Sequence, residues 1–173
     1  SIFSTITSAG GGRGSQPVPN PPAPGTGSGV ANAGGSGGGE SGGNGSCGYG
    51  AGDTPPTPVA QGFRGGDGDT TSYTLGGGGG GATAAGGNAS GPGCGGGTGG
   101  NGATSCITAS PVTYATGGNS ARPLPTGAVS NAPDNSGTGG SSSNYYPNPG
   151  SPTPFCNSYK GYNGGSGIVI IRY

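Results

Sequence analysis

Residues 76–81 read Gly-Gly-Gly-Gly-Gly-Gly, within a chain of 173 residues that contains 49 glycines and 17 prolines. Glycine has no side chain to bury and loses more backbone freedom on folding than any other residue, so such a run is ordered only where the backbone itself packs. Only 26% of the residues are hydrophobic, too few for an ordinary side-chain core. The composition therefore predicts that backbone hydrogen bonds between glycine tracts supply much of the stability.

The same composition argues against α-helices and against collagen. In a helix interior each glycine costs about 1 kcal/mol and each proline about 3 kcal/mol relative to alanine. Collagen needs glycine at every third position, and the tracts over 34–50, 76–102 and 137–140 lack that strict period. Extended glycine helices that lie side by side can instead exchange N–H···O=C bonds laterally. We therefore predict a fold without α-helices, in which extended glycine-rich helices of the polyproline II type form a bundle, with a few short β-strands at the termini.

One glycine-rich domain is predicted over residues 1–173. β-Branched and aromatic residues predict strands at both ends and at two interior positions, near 1–8, 72–75, 107–114 and 167–173. The apolar run over 168–171 suggests a buried seam, which pairing between the two ends of the chain would supply. Proline-rich segments with many of the large side chains are predicted as loops, over 16–25, 53–63, 120–135 and 143–162.

Charge and residue types exclude several classes of function. The formal net charge is zero and the five basic residues are scattered, which argues against binding to nucleic acid. No run approaches the roughly 20 apolar residues of a membrane span. The chain has no histidine, so we predict no enzyme activity, no cofactor and no metal site. Asp67 and Asp69 flank Gly68 as in calcium-binding repeats, but Thr70 stands where aspartate is expected, and we predict a solvated turn.

Four cysteines are far apart in the sequence and lack the C-x-x-C spacing of zinc or redox sites: Cys47, Cys94, Cys106 and Cys156. We therefore predict disulfides, and four cysteines allow three pairings. The pairing that we favour joins Cys94 to Cys106 in a short loop and leaves Cys47 to pair with Cys156. Such bridges indicate a location outside a reducing cytosol.

Aromatic side chains concentrate in one loop. Residues 144–162 contain five of the eleven tyrosines and phenylalanines. Tyrosine combines a flat apolar face with a hydroxyl group and has little rotamer entropy to lose, which suits contact with sugars or protein surfaces. The alternative is that these rings pack over the glycine layers. The candidate binding residues are Tyr145, Tyr146, Phe155, Tyr159, Lys160 and Tyr162.

Three landmarks resemble a known family. They are SIFSTITSAGGG at 1–12, VTYATGG at 112–118 and, most specifically, GGSGIVIIRY at 164–173. In this order they resemble the glycine-rich C-terminal domains of tail-fibre and distal adhesin proteins of tailed bacteriophages, across essentially the whole chain. Longer relatives place the opening segment after upstream strands, so we expect this chain to be part of a longer protein.

The resemblance implies a sandwich of polyglycine II helices whose variable loops at one tip recognise a bacterial surface. It implies a virion surface or extracellular location. The expected partners are a bacterial glycan or outer-membrane protein, together with other virion proteins or copies of the chain. Two alternatives remain open: a structural subunit of an extracellular filament or virion appendage without a receptor, and an ice-binding protein. The irregular loops disfavour the latter, which needs a flat regular face.

Overall fold

A computed structural model describes residues 2–3, 6–7, 11–14, 31–40, 48–69, 75–90, 96–120, 131–144 and 159–171. These residues contain no helix, and their strands form three antiparallel pairs. The strands are β1 (Ile2–Phe3), β2 (Ile6–Thr7), β3 (Ala103–Ser105), β4 (Val112–Tyr114), β5 (Ser142–Asn144) and β6 (Tyr159–Gly161). The pairs are β1 with β2, β3 with β4 and β5 with β6, in registers that place Phe3 opposite Ile6, Thr104 opposite Thr113 and Ser143 opposite Lys160. The predicted non-helical class is confirmed.

Most of the remaining described chain consists of glycine-rich segments that bond to one another through the backbone. They cover 11–14, 36–40, 48–53, 61–69, 75–82, 84–90, 96–102, 114–120, 136–141 and 162–167. The segment 75–82, which contains the six consecutive glycines, lies at their centre because it exchanges backbone hydrogen bonds with five others.

Consecutive peptide groups of the central segment bond to different neighbours in rotation. The N–H groups of Gly77 and Gly80 donate to segment 36–40, those of Gly78 and Gly81 to 84–90, and those of Gly79 and Ala82 to 114–120, all over 2.7–3.0 Å. The carbonyls of Leu75, Gly78 and Gly81 accept from segment 61–69, and those of Gly76 and Gly79 accept from 96–102. The same neighbour thus recurs at every third residue.

The interior is built from backbone because the segments approach closely. Among the described residues, Ala31 and Leu75 are the buried hydrophobic side chains. A Cβ atom added at Gly77 would lie 2.1 Å from the carbonyl oxygen of Gly66, and one added at Gly97 would lie 2.0 Å from that of Gly87. No real Cβ contact is that short, so glycine is required where these segments touch.

The connections between segments lie at two opposite ends. At the first end, called the turn end, the structure describes the bend 34–36, the loop 53–61, the turn 82–84, the β3–β4 hairpin, the turn 134–136 and residues 167–171. At the other end, called the loop end, lie Glu40, Leu75, Gly97 and Ser120, linked by bonds from Gly77 N to Glu40 O, from Gly97 N to Gly76 O and from Ser120 N to Gly97 O. The β5–β6 pair also lies at the loop end, since Ser141 precedes β5 and bonds to Asn119 and Tyr162.

Two strand predictions need correction. The strand near 167–173 is not formed over its described part, 167–171, where Ile168, Val169 and Ile171 are exposed. The expected seam between the chain ends is absent from the described residues, because β1 pairs locally with β2 and the interior is glycine backbone. Within 107–114 only β4 is a strand, since a turn over 107–110 and Pro111 precede it. Leu75 lies outside any strand, and 72–74 fall outside the described residues.

The loop predictions fare differently along the chain. Residues 53–63 contain neither helix nor strand, as predicted. The predicted loop over 143–162 is wrong at both ends, where β5 and β6 pair. The predicted loop over 16–25 lies outside the described residues, and of 120–135 only residue 120 and residues 131–135 are described.

Candidate functional site

The predicted contact residues belong to the β5–β6 pair and its connection. Tyr159 and Lys160 lie in β6, where they stand opposite Asn144 and Ser143. Tyr162 follows at once, is half-buried, and donates its N–H to the Ser141 carbonyl at 2.8 Å. The connection 145–158, which holds Tyr145, Tyr146 and Phe155, lies outside the described residues. The structure therefore brings the described part of the predicted site to the loop end.

Six undescribed segments share this end as their point of departure. The described residues that flank them are Gly14 and Ala31, Glu40 and Gly48, Asp69 and Leu75, Ser90 and Gly96, Ser120 and Asn131, and Asn144 and Tyr159. In several of these pairs, the two flanking residues or their immediate neighbours are hydrogen-bonded to each other, as Asp69 N is to Leu75 O at 2.8 Å. The structure thus places the flanks of six separate connections at the loop end.

A buried carboxylate fastens two of these flanks. Glu40 is 5% exposed, its Oε1 accepts the N–H of Gly48 at 2.9 Å, and its Oε2 accepts the N–H of Gly68 at 3.0 Å. Its own peptide group donates to Gly66 O and accepts from Gly77 N. A buried charge is costly unless it is hydrogen-bonded, and these bonds satisfy that need. No sequence pattern singled out Glu40, although it is the single charged residue inside the glycine tract over 34–50.

Near Glu40, three polar and aromatic side chains form a surface cluster. The Arg64 guanidinium carbon lies 4.3 Å from the centroid of the Tyr49 ring, and Nη1 of Arg64 lies 3.5 Å from Oδ2 of Asp67. The same Nη1 donates to Gly65 O at 2.9 Å. All three side chains remain partly exposed. Tyr49 is 15 residues before Arg64, so no local sequence motif indicated the contact between these two side chains.

The proline-rich loop 53–61 lies at the opposite, turn end. Asp53 organises it: Oδ1 accepts the Thr57 hydroxyl at 2.7 Å and the Gln61 N–H at 3.0 Å, and Oδ2 accepts the Thr57 N–H at 3.4 Å. The Thr57 hydroxyl, followed by the Gln61 N–H, lowers the pKa of the Asp53 carboxyl below its usual value. Val59 projects from this loop and is 81% exposed. The predicted loops therefore do not all gather at one end.

Cys106 has a free, exposed thiol, so the favoured bridge between Cys94 and Cys106 is not formed. The physical reason is position, because Cys106 follows β3 at the turn end, whereas Ser90 and Gly96, which flank the segment of Cys94, lie at the loop end. Cys47, Cys94 and Cys156 are outside the described residues, and the predicted pairing of Cys47 with Cys156 stays a prediction.

In the described part of the chain, no three His, Cys, Asp or Glu side chains gather into a set that could hold a metal ion. A search of the same residues finds no helix with the length and apolarity of a membrane span. Comparisons with protein-family models, with curated proteins and with solved structures find no match to this chain.

Proposed function

We propose that this chain is a non-enzymatic fibre or adhesin domain of a virion, in which a rigid glycine-rich scaffold presents loops to a bacterial surface receptor. The observation that carries the proposal is the departure of six connections from one end of the bundle. A scaffold whose interior is backbone holds the flanks of these connections at fixed positions. Recognition commonly resides in loops that a rigid framework positions.

The scaffold is proposed to be a sandwich of polyglycine II helices. Polyproline II geometry has three residues per turn and leaves its N–H and C=O groups without internal partners. The threefold rotation of bonding partners along 75–82 fits that geometry, because it sends each peptide group sideways to a neighbour. Lateral bonding also accounts for the close packing of the described glycine-rich segments.

The proposed receptor is a bacterial surface glycan or an outer-membrane protein, contacted at the virion surface. The residues proposed to make contact are Tyr145, Tyr146, Phe155, Tyr159, Lys160 and Tyr162. Their aromatic rings offer large apolar faces with hydroxyl groups, a combination that is effective at adaptable binding surfaces. No acid–base pair or nucleophile enters the proposal.

The test is binding of the purified domain to cells of candidate host bacteria. Tyr146→Ala and Tyr159→Ala should each reduce cell binding while leaving the thermal unfolding midpoint unchanged. Phe63→Ala is the matched control, because Phe63 is a partly exposed aromatic residue near the turn end. Equal loss of binding in all three variants would contradict a contact surface at the loop end.

A second function is favoured by a different observation. Ile168, Val169 and Ile171 are exposed at the turn end without a strand partner among the described residues. Such a run could pair between copies, as a structural subunit of an extracellular filament or virion appendage requires. Sedimentation velocity distinguishes the two proposals, because a filament subunit associates with itself as its concentration rises.

A further inference from the structure

The cluster of Tyr49, Arg64 and Asp67 lies on the flank of the bundle, between its two ends. Tyr49 follows Gly48, whose N–H is held by the buried Glu40 carboxylate, and precedes Gly50, which bonds to Gly38 and Gly65. The cluster is therefore attached to backbone that is bonded on both sides. Neighbouring segments hold its parts in place before any ligand arrives, which lowers the entropy cost of binding.

We propose that this cluster is a binding subsite for a neutral sugar ring, such as a hexopyranose of a surface polysaccharide. The proposal rests on the proposed receptor-binding function for its source of ligand. The Tyr49 residue keeps 43% of its surface exposed although a guanidinium lies over one face of the ring. A sugar can place its apolar C–H face on the remaining ring surface and its hydroxyls against the two charged groups.

The charges decide which sugars fit. The guanidinium supplies only hydrogen-bond donors and the carboxylate only acceptors, so adjacent hydroxyl groups can bond to both. Arg64 and Asp67 lie 3.5 Å apart and carry opposite charges, so the pair has no net charge. An anionic sugar or a phosphate would gain the attraction of Arg64 but meet the repulsion of Asp67. A neutral polyhydroxylated ring meets no such conflict.

A role in stability alone accounts less well for the arrangement. The Arg64 and Asp67 side chains are 40% and 39% exposed, and pairs of that kind contribute little to folding. The interior does not require them, because the segments are already joined by backbone bonds at Gly65, Gly66 and Gly86. Three functional groups of complementary chemistry thus remain available to a ligand.

The experiment is an NMR titration of the isotope-labelled chain with glucose, galactose, mannose and N-acetylglucosamine, with glucuronic acid as the anionic comparison. We expect at least one neutral sugar to bind in the millimolar range and to shift the amides around Tyr49 and Arg64. Tyr49→Ala and Arg64→Ala should weaken that binding by about tenfold or more, and Asp67→Asn should weaken it by several-fold.

Phe63→Ala is the matched control, since Phe63 is exposed to the same extent as Tyr49 and lies next to Arg64, but no cation lies over its ring in the part of the chain that the structure describes. It should leave sugar affinity unchanged. The proposal is overturned if no neutral sugar shifts these amides, if glucuronic acid binds more tightly, or if Phe63→Ala matches Tyr49→Ala. If the chain binds cells but no sugar, only the subsite proposal is wrong. If it binds a sugar but no cells, only the adhesin proposal is contradicted.

Discussion

Replacing Gly78 by alanine tests whether packed backbone holds this protein together. Gly78 belongs to the central segment, and a Cβ atom there would lie 2.0 Å from the carbonyl oxygen of Thr98. Ordinary contact begins at 3.4 Å, so segment 96–102 would have to move away by about 1.4 Å. The obstacle is backbone, which cannot rotate aside as a flexible side chain can.

The displacement has a calculable cost. The bonds from Gly97 N to Gly76 O and from Gly100 N to Gly79 O are both 2.9 Å long and join the two segments that must separate. An added 1.4 Å would break both, and each buried group left without a partner costs about 1–3 kcal/mol. Alanine recovers about 0.4–1 kcal/mol by restricting the unfolded chain. We therefore expect the free energy of unfolding to fall by about 3 kcal/mol.

Gly79→Ala is the matched control from the same segment. The nearest atom to its added Cβ is the amide nitrogen of Gly118 at 3.3 Å, and the next is at 3.7 Å. Neither Gly78 nor Gly79 has a positive φ, so the two variants face the same backbone demands. We expect Gly79→Ala to change the free energy of unfolding by less than about 1 kcal/mol.

Urea unfolding followed by circular dichroism measures both variants, and thermal unfolding provides a second readout. For a domain of this size, a loss of about 3 kcal/mol lowers the unfolding midpoint by about 6–12 °C. Equal stability of Gly78→Ala and Gly79→Ala would refute the claim that backbone contact requires glycine at the two packed positions of each triplet and not at the third.

Three further predictions address other parts of the molecule. Glu40→Gln should lower the free energy of unfolding, measured by urea unfolding, by about 1–3 kcal/mol. The amide has one acceptor oxygen for the two N–H donors, Gly48 and Gly68. The lowered pKa of Asp53 means that its contribution to loop stability is present above the pKa of the unfolded chain and is lost as the pH falls through the folded pKa. The protection factor of the Gln61 amide against hydrogen exchange should therefore fall in acid, and it should fall equally in Asp53→Ala at neutral pH. Serine at the three exposed aliphatic positions within 168–171 should abolish any self-association seen by sedimentation without lowering the unfolding midpoint.

Part of the fold follows directly from composition. The glycine and proline content excludes helices, and the need to satisfy buried peptide groups predicts lateral bonds between tracts. The order of neighbours does not follow, because tracts such as 76–81 and 96–100 offer nearly identical surfaces to any partner. The position of the β5–β6 pair at the loop end depends on that order, so the sequence could not predict it either.

Hydrophobicity is a poor guide to which side chains are buried in this chain. The run over 168–171 predicted a buried strand, but its side chains are largely exposed, whereas Leu75 at the head of the glycine run is fully buried. Glu40, the most polar candidate in its tract, is buried as well. In a fold whose interior is backbone, apolar side chains find few places to pack, so burial follows the position along a threefold repeat more than the residue type.

That repeat leaves a signal in the sequence. In GGTGGN over 96–101, the third and sixth residues are Thr98 and Asn101, and both are exposed, while Gly97 and Gly100 are buried. In the central segment the half-buried positions are Gly76, Gly79 and Ala82, again three residues apart. Triplets of two glycines and one small polar residue therefore indicate a segment with two packed positions and one position that faces outward.

This division of positions explains how such a scaffold could serve recognition. In an ordinary domain, loop residues and core residues are coupled because both rely on side-chain packing. Here the segments are joined mainly by hydrogen bonds between peptide groups. Every residue type carries these groups, except that proline has no N–H. Side-chain substitutions at the outward third position leave those bonds unchanged. Contact surfaces on such a scaffold can diverge widely while the buried glycines stay constant, provided that anchors such as Glu40 keep the flanks of the connections in place.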